Sequence, residues 1–484
     1  MLKHQSELPL SPYSALYDIL IPQDDELRRL NELVDFSFVY RELVDNYSLG
    51  EGRTAIDLVQ MFKYLYLKVR FNLSDRDLVS RAKTDMAMKF FLGLNPEDAV
   101  ISSSLLTKFR RQHLNNVDLL NILLTKTVQL AIEKGVLTDK TIIVDATHTA
   151  ARFNQRSAVE TLRDGSKLLR KRLYKANPAI KAHLPQKNTL NDLDAEKQYT
   201  ADLIKTVKAH PEVSAIQGVP EALHNLQEKQ EDIQEAGRYS ADKDAKVGHK
   251  SATTAFFGYK IHLAMTTERI ITAAVVTTGE KGDGHFLETL VDQSRANGVT
   301  VKNVVGDTAY SGKENLKLAK HHDFQLYSKL HPIISNGYRT PEQMWDFNKD
   351  AGMFVCPAGF MAKRVARTGT MPSRNQSRTY YFDVSNCQVC PQRQGCYKPG
   401  AKTKTYSVSI KSQEHQEQMA FQATQAFQDT AKLRYRIEAK NAELKTKHGY
   451  RQSWSNNIEA MTLQGAITLF YANMERIMKL MGQK

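Results

Sequence analysis

Two aspartates in this chain stand at the far ends of apolar runs, where a carboxylate is costly unless something meets it. Asp145 follows Thr141-Ile142-Ile143-Val144, a β-branched run too short for a stable helix, which reads as a buried strand. Asp307 ends a second such stretch, Val301-Lys302-Asn303-Val304-Val305-Gly306. Burying an unpaired carboxylate costs desolvation energy, so a cation or hydrogen-bond donors must be near. Taken alone, Asp145 reads equally well as the cap of a turn or of a following helix. Taken together, two carboxylates held close repel one another unless a divalent ion neutralises both. Magnesium suits hard oxygen ligands and keeps positions open for water and phosphate. Two such ions roughly 3.5–4 Å apart stabilise the attacking and leaving oxygens of an in-line phosphoryl displacement.

Such a site needs a third carboxylate, preferably on a helix beside the sheet. Glu438 is placed for it, within Lys432-Leu433-Arg434-Tyr435-Arg436-Ile437-Glu438-Ala439-Lys440-Asn441-Ala442-Glu443-Leu444-Lys445. Arg434, Glu438 and Lys445 fall on one helical face, with Ile437 and Leu444 forming the neighbouring buried stripe. Glu438 could then reach the ions while Arg434 and Lys445 meet phosphates. An exposed helix with ordinary ion pairs would show the same pattern.

All four cysteines lie late in the chain: Cys356, Cys387, Cys390 and Cys396. Cys387 and Cys390 have the tight spacing of a zinc knuckle, and four thiolates could close a tetrahedral structural Zn2+ site, reduced unliganded thiols being the alternative. Around them stand Lys363, Arg364, Arg367, Arg374, Arg378, Arg393, Lys398, Lys402 and Lys404, interleaved with Tyr380, Tyr381, Phe382 and Tyr397. Such a surface could track a DNA backbone, although a solvated charged loop would look much the same. His148, His262 and His285 read as hydrogen-bonded structural residues. Gly279, Gly282 and Gly284 do not make a phosphate-binding fingerprint, and no Walker loop, Ser-His-Asp set or dinucleotide motif competes.

The elements that must position these residues follow from patterning. A chain of 484 residues, 41% hydrophobic and 25% charged, is globular and long enough for several domains. Its formal charge of +14 favours a polyanionic partner such as nucleic acid. Met1–Glu7 lacks the apolar core of a signal peptide and no apolar run approaches membrane-spanning length, so a cytoplasmic location is expected. Residues 1–135 read as helical. Thr54 to Phe71 is amphipathic, Ser74 caps a helix running to about Leu92, and Leu105–Leu114 carries Lys108, Arg110 and Arg111. Short helices ending in a basic one suggest either a helix-turn-helix-like DNA module or a plain bundle with a solvated face. From 136 the order is a strand, a helical insertion over 155–240, a hairpin of strands over 256–264 and 270–277, a helix, the Asp307 strand, a helix, and a strand at 324–328. That is a mixed sheet flanked by helices, in which the first and fourth strands can lie side by side and bring Asp145 to Asp307. A basic four-cysteine insertion over 331–406 precedes the acidic helix. Tyr450 and Trp454 read as core packing, and Ile458–Met481 as an amphipathic helix closing the domain.

At this point the chain resembles the DDE transposases of bacterial insertion sequences, over most of its length. Ile143-Val144-Asp145-Ala146-Thr147-His148-Thr149 matches the first acidic motif, Val305-Gly306-Asp307-Thr308-Ala309-Tyr310 the second, and Gly258-Tyr259-Lys260 a strand between them. Leu73-Ser74-Asp75-Arg76-Asp77-Leu78 and Phe90-Phe91-Leu92-Gly93-Leu94 match phrases of the family's N-terminal helical domain. The late helix resembles the signature Tyr-x2-Arg-x3-Glu-x6-Lys, with Arg434, Glu438 and Lys445 in register and Ala431 where the signature has Tyr. Glu443 is a nearby acid outside this register. The resemblance implies an RNase H-like catalytic fold and Asp145, Asp307 and Glu438 as ligands of two Mg2+ or Mn2+ ions. It also implies cleavage and strand transfer of double-stranded transposon and target DNA by a homodimer that pairs two ends, at the bacterial nucleoid. A DNA-binding descendant without catalysis, and a nuclease of the same fold, are the other readings.

Overall fold

The protein is described by a computed structural model covering residues 11–47, 55–114, 117–152, 157–176, 178–214, 216–236, 242–250, 253–335, 339, 343–368 and 376–482. The N-terminal Met1–Glu7 segment, Thr54, Arg374 and both ends of the helical insertion lie outside these residues. Among the described residues, no helix is long and apolar enough to cross a membrane.

The β-branched run that begins at Thr141 forms β1 (Thr141–Ala150), the centre of a mixed sheet. Its companions are β2 (Lys246–His249), β3 (Ala255–Thr266), β4 (Ile271–Thr278), β5 (Asn303–Val305) and β6 (Gln325–Tyr327). β1 pairs antiparallel with β3 along nine residues and parallel with β5 along three. β3 also pairs antiparallel with β4, and β5 parallel with β6. The meander and two crossovers expected from the sequence are therefore present, with β2 as an additional strand paired to the start of β3. One expectation is corrected. Asp145 is not at the end of its strand but inside it, because Thr147 and Thr149 also suit a pleated surface and β1 continues against β3 as far as Ala150 and Gly258.

The close passage of β1 over β3 depends on Gly258. A Cβ there would meet the Thr149 carbonyl oxygen at 2.1 Å and the Ala151 nitrogen at 2.7 Å, both unyielding backbone atoms.

Ser74 caps its helix as expected, accepting from the Asp77 N–H, whereas the helix before it starts at Leu58, where Asp57 accepts from the Gln60 N–H. The single helix expected from Ser74 to Leu92 is two, Asp75–Ala82 and Met86–Phe91, because Asp85 caps a new start. A boundary at 135 separates helices from sheet, but the apolar core runs across it. Phe62 and Tyr66 meet Phe470 edge-on at 5.7 and 6.1 Å, and Phe470 belongs to the long C-terminal helix Ile458–Met481. That helix packs against β4, Leu58–Phe71 and Leu119–Glu133.

The two insertions have cores of their own. The first is helical as expected, with Leu169, Leu173, Leu203, Val207 and Leu226 buried between Ala158–Ala176, Leu193–Lys208 and Val219–Ala236. The second contains a hairpin, β7 (Asp346–Asn348) and β8 (Met353–Val355), and a sheet of β9 (Arg364–Thr368), β10 (Gln376–Phe382) and β11 (Lys404–Ile410). Its aromatics are not an open stacking surface. Tyr380, Phe382, Tyr397 and Tyr406 are buried, Trp345 stacks on Tyr406 at 4.5 Å, and Arg364 covers Tyr381 at 3.6 Å.

Gly258→Ala should lower stability by about 3 kcal/mol or prevent folding, since the added methyl collides with backbone that cannot turn aside. Thermal unfolding of the purified variant measures this.

Candidate active site

Strand pairing and the turn that follows it bring the two aspartates near each other. Ile143 lies beside Val305 in the parallel pair, and two residues further along each chain come Asp145 and Asp307. Neighbouring strands are about 4.8 Å apart, so the carboxylates leave adjacent backbones. β5 ends at Val305, and Asp307 instead caps the turn Thr308–Tyr310, accepting from the Ala309 N–H at 2.9 Å. Ser328, just after β6, donates its hydroxyl to the Asp307 carbonyl.

Beyond the end of β5 that edge of β1 is open, and the acidic helix Tyr435–Thr446 lies against it. Asn441 donates to Asp145 Oδ2 at 2.9 Å. Glu438 is one turn earlier on that helix, half-exposed, and ion-paired with Arg434 at 3.0 Å. Lys445 is one turn later, its ammonium 3.3 Å from His148 Nδ1. Past the helix, the chain returns to the same edge: Ala150 donates to the Arg451 carbonyl at 3.0 Å, and Thr149 Oγ1 to that of Tyr450 at 3.0 Å. Tyr450 is fully buried, and Trp454 is partly buried against the core.

The electrostatics are those of crowded acids. Burial pushes the Asp145 carboxyl up to about 7; Arg434 opposes the rise, while Asp307 and Asp283 add to it. Asp307 is also raised, chiefly by burial, with the Ala309 N–H and Arg434 opposing. Arg434 thus acts on both aspartates while pairing with Glu438. Next to the acids is a positive group. Burial brings Lys445 down to about 8, with Lys250 adding to the fall and Asp145 opposing it; burial, Lys445, Lys250 and Lys260 bring His148 to about 4.

Two contributors were not singled out from the sequence. Asp283 follows β4, pairs with Lys260 at 2.9 Å, and is close enough to affect Asp145, Asp307 and buried Tyr310. It sits in the segment read only for its glycines. Asn441 lies three residues after Glu438, and that spacing is the one signal in the sequence that could have found it. His262 is a structural histidine, buried, stacked on Phe286 at 4.2 Å and 3.0 Å from Thr277 Oγ1.

Glu443 is taken up by other partners. It pairs with Arg269 at 2.6 Å and with buried Lys440 at 2.6 Å, and its carboxyl is held at about 2. Among the described residues, Glu443, His448 and Glu475 form the one group of three ligand types with atoms within 4.8 Å, but Arg269, Lys440 and Lys447 already neutralise it.

The basic helix Ser103–Gln112 forms part of a second concave surface. Arg110 makes a two-pronged pair with Asp75 at 3.1 and 2.5 Å, and Lys68 reaches the same aspartate at 2.9 Å. These contacts dock helix Ser103–Gln112 on Asp75–Ala82, so Arg110 is already engaged. Lys108 and Arg111 are exposed. Arg76, Arg111, Arg152 and Trp454 line the open cleft of about 1230 Å³ between these helices and the start of the C-terminal helix.

A six-stranded mixed sheet with β1 to β4 antiparallel and β5 and β6 parallel, acids at the open edge of its first strand, and a late helix against that edge define an RNase H-like domain. Residues 137–470 match the family model for the Transposase DDE domain, and residues 15–112 match the Transposase domain (DUF772). The chain belongs to the DDE-domain transposases. No curated protein matches it in a sequence search.

Two outcomes follow from the electrostatics. The folded chain holds the Asp145 proton more tightly than the unfolded chain does. The ionised carboxylate therefore adds no penalty below its ordinary value of 3.8 and its full penalty above about 7. In metal-free protein, Asp145→Asn should stabilise the fold near pH 8 by about 2 kcal/mol, allowing for residual solvent, and change nothing near pH 4. Denaturant titrations at the two pH values measure the difference. Separately, Glu443→Gln should cost about 3 kcal/mol, because Lys440 is left buried without its counter-ion. Glu438→Gln, at a half-exposed site, should stay within about 0.5 kcal/mol of the parent.

Proposed function

We propose that the chain cuts the ends of an insertion sequence and joins them to target DNA, with Asp145, Asp307 and Glu438 as its metal-binding and catalytic residues. The observation that carries this reading is the placing of Asp145 and Asp307 two residues beyond the last parallel pair, Ile143 and Val305, with Arg434 and Asn441 acting on them from the segment that bears Glu438. The donor set fits hard divalent cations such as Mg2+ or Mn2+: the proposed ligands are carboxylates, two are raised by burial with like charge adding to the rise, and Asn441 Oδ1 is buried without a hydrogen-bond partner. Two such ions, when bound, supply activation of the attacking oxygen and stabilisation of the leaving one.

The chain's own residues supply position and charge. Asn441 holds Asp145 in one orientation, and the Ala309 N–H and Ser328 hold Asp307. Arg434 pairs with Glu438 and acts on both aspartates, which links that glutamate to the site, and as a planar cation it suits a phosphodiester as a further partner. Lys445, with Lys250 and Lys260 nearby, makes a pocket of unfavourably close cations that a DNA phosphate would relieve. Arg111 contacts the DNA backbone along the cleft and exposed Lys108 contacts it from the same helix, while Arg110 contributes by holding that helix in place. A homodimer pairs the two transposon ends.

Asp145→Ala, Asp307→Ala and Glu438→Gln should each reduce Mg2+-dependent cleavage of DNA carrying the element's terminal repeats by about a thousandfold or more. Binding to the ends, measured by gel shift, should persist. Undiminished cleavage in any of the three refutes its assigned role.

A further inference from the structure

The four-cysteine insertion has a problem of size. Its apolar core comprises Ala362, Tyr380, Phe382 and Tyr406, with Trp345, Met353, Phe354 and Val408 at the margin. A core this small does not offset the conformational entropy of ordering so many residues, and small units of this kind are usually held by disulfides or a metal. The cysteines are free thiols, and all four of the chain lie here.

They also converge. Cys356, Cys387, Cys390 and Cys396 line one small recess of about 70 Å³, together with Pro357, Phe360 and Trp345. Each comes from a tight local structure. Cys356 opens the turn Cys-Pro-Ala-Gly, in which Gly359 donates back to the Cys356 carbonyl at 2.8 Å and adopts φ +86. Cys387 is in the short helix Val384–Val389 and Cys390 follows it directly. Cys396 closes a turn by donating to the Arg393 carbonyl at 3.0 Å, after Gly395 at φ +74. Lys404 and Arg393 stand at the recess wall, where they would balance the net negative charge of a metal held by four thiolates. No three of the four sulfurs lie within 4.8 Å of one another.

We propose that Cys356, Cys387, Cys390 and Cys396 bind one Zn2+ as thiolates in a closed structural site. The ion draws the sulfurs inward and staples three pieces together: the turn after β8, the helix Val384–Val389 and the loop before β11. Zinc fits because soft thiolates and a tetrahedral set of four suit it, and no open position is needed. The insertion leaves the sheet at Leu330, shortly after Ser328, whose hydroxyl holds the Asp307 carbonyl. The staple therefore fixes the basic three-stranded sheet β9–β11 to the hairpin β7–β8 within the insertion. This assignment is independent of the catalytic reading.

Full-length protein, purified under reducing conditions without added metal, is assayed for zinc by mass spectrometry and for zinc released as the thiols are titrated with a mercurial. About one zinc per chain is expected, released as all four thiols react. Cys390→Ser should lose about tenfold or more of the bound zinc. Because that variant can fail to fold, wild-type protein is also loaded with Co2+. Intense thiolate-to-cobalt absorption with the visible bands of a tetrahedral ion is expected. Asp145→Ala should keep its zinc, which separates this site from the acidic one. Folded wild-type protein without zinc, iron in place of zinc, or zinc retained after all four cysteines become Ser overturns the proposal.

Discussion

The structure depends on holding two like charges side by side in a largely buried place. Asp145 and Asp307 are close because the parallel pairing of β1 with β5 ends two residues before each of them, and the charge of Asp307 acts on Asp145. The repulsion and the lost hydration have to be offset by other groups: Asp307 takes the Ala309 N–H two residues on, and Asp145 takes Asn441 from a helix almost three hundred residues later in the chain. Asn441 donates to Asp145, and Arg434 lowers both aspartates while keeping Glu438 as its partner. The short length of β5 is part of the same arrangement. If β5 continued, it would fill the edge of β1 where the acidic helix now lies.

Much of the remaining polar structure keeps that helix where it is. Glu443, Lys440 and Arg269 tie it to the turn between β3 and β4, and Arg436 donates to the Thr267 carbonyl at 2.8 Å. The segment after it returns to β1 through Tyr450 and Arg451. The C-terminal helix then runs between the sheet and the N-terminal helices, where Phe470 and Tyr471 meet Tyr66. Lys68 over the Trp454 ring at 5.1 Å, and the Asp75 pairs with Lys68 and Arg110, carry the connection to the basic helix. The N-terminal helices are thus braced against the catalytic domain and form one wall of a basic cleft. Charged residues in these places act mainly as structure, which is why Arg110 and Glu443 differ in role from their sequence neighbours Arg111 and Glu438.

The strand pattern, the helical insertion and the acidic helix were legible in the sequence because each carries its own periodicity and caps. Asp57, Ser74, Gly93 and Gly135 mark helix ends by local chemistry alone. Less legible was anything set by distant pairing. The length of β1 beyond Asp145 depends on Gly258 and β3. The division of the helix at Asp85 was legible in principle, since Asp is a good cap, but the apolar spacing runs through it. The strands of the cysteine insertion were missed because short, exposed strands with mixed charge have little alternation to read.

The sequence by itself determined the kinds of chemistry available: two aspartates after β-branched runs, a glutamate in register with an arginine and a lysine on one helical face, and four cysteines confined to one insertion. Those follow from residue type and local spacing, which act over a few residues. Only the tertiary structure decided which charges meet. It placed Asp283 and Asn441 beside the aspartates, gave Arg110 to Asp75 and Glu443 to Lys440 and Arg269, and buried the aromatics of the cysteine insertion in a core. The reason is physical: a charge takes its role from burial and from the partners within a few ångströms, and those partners are far away in sequence.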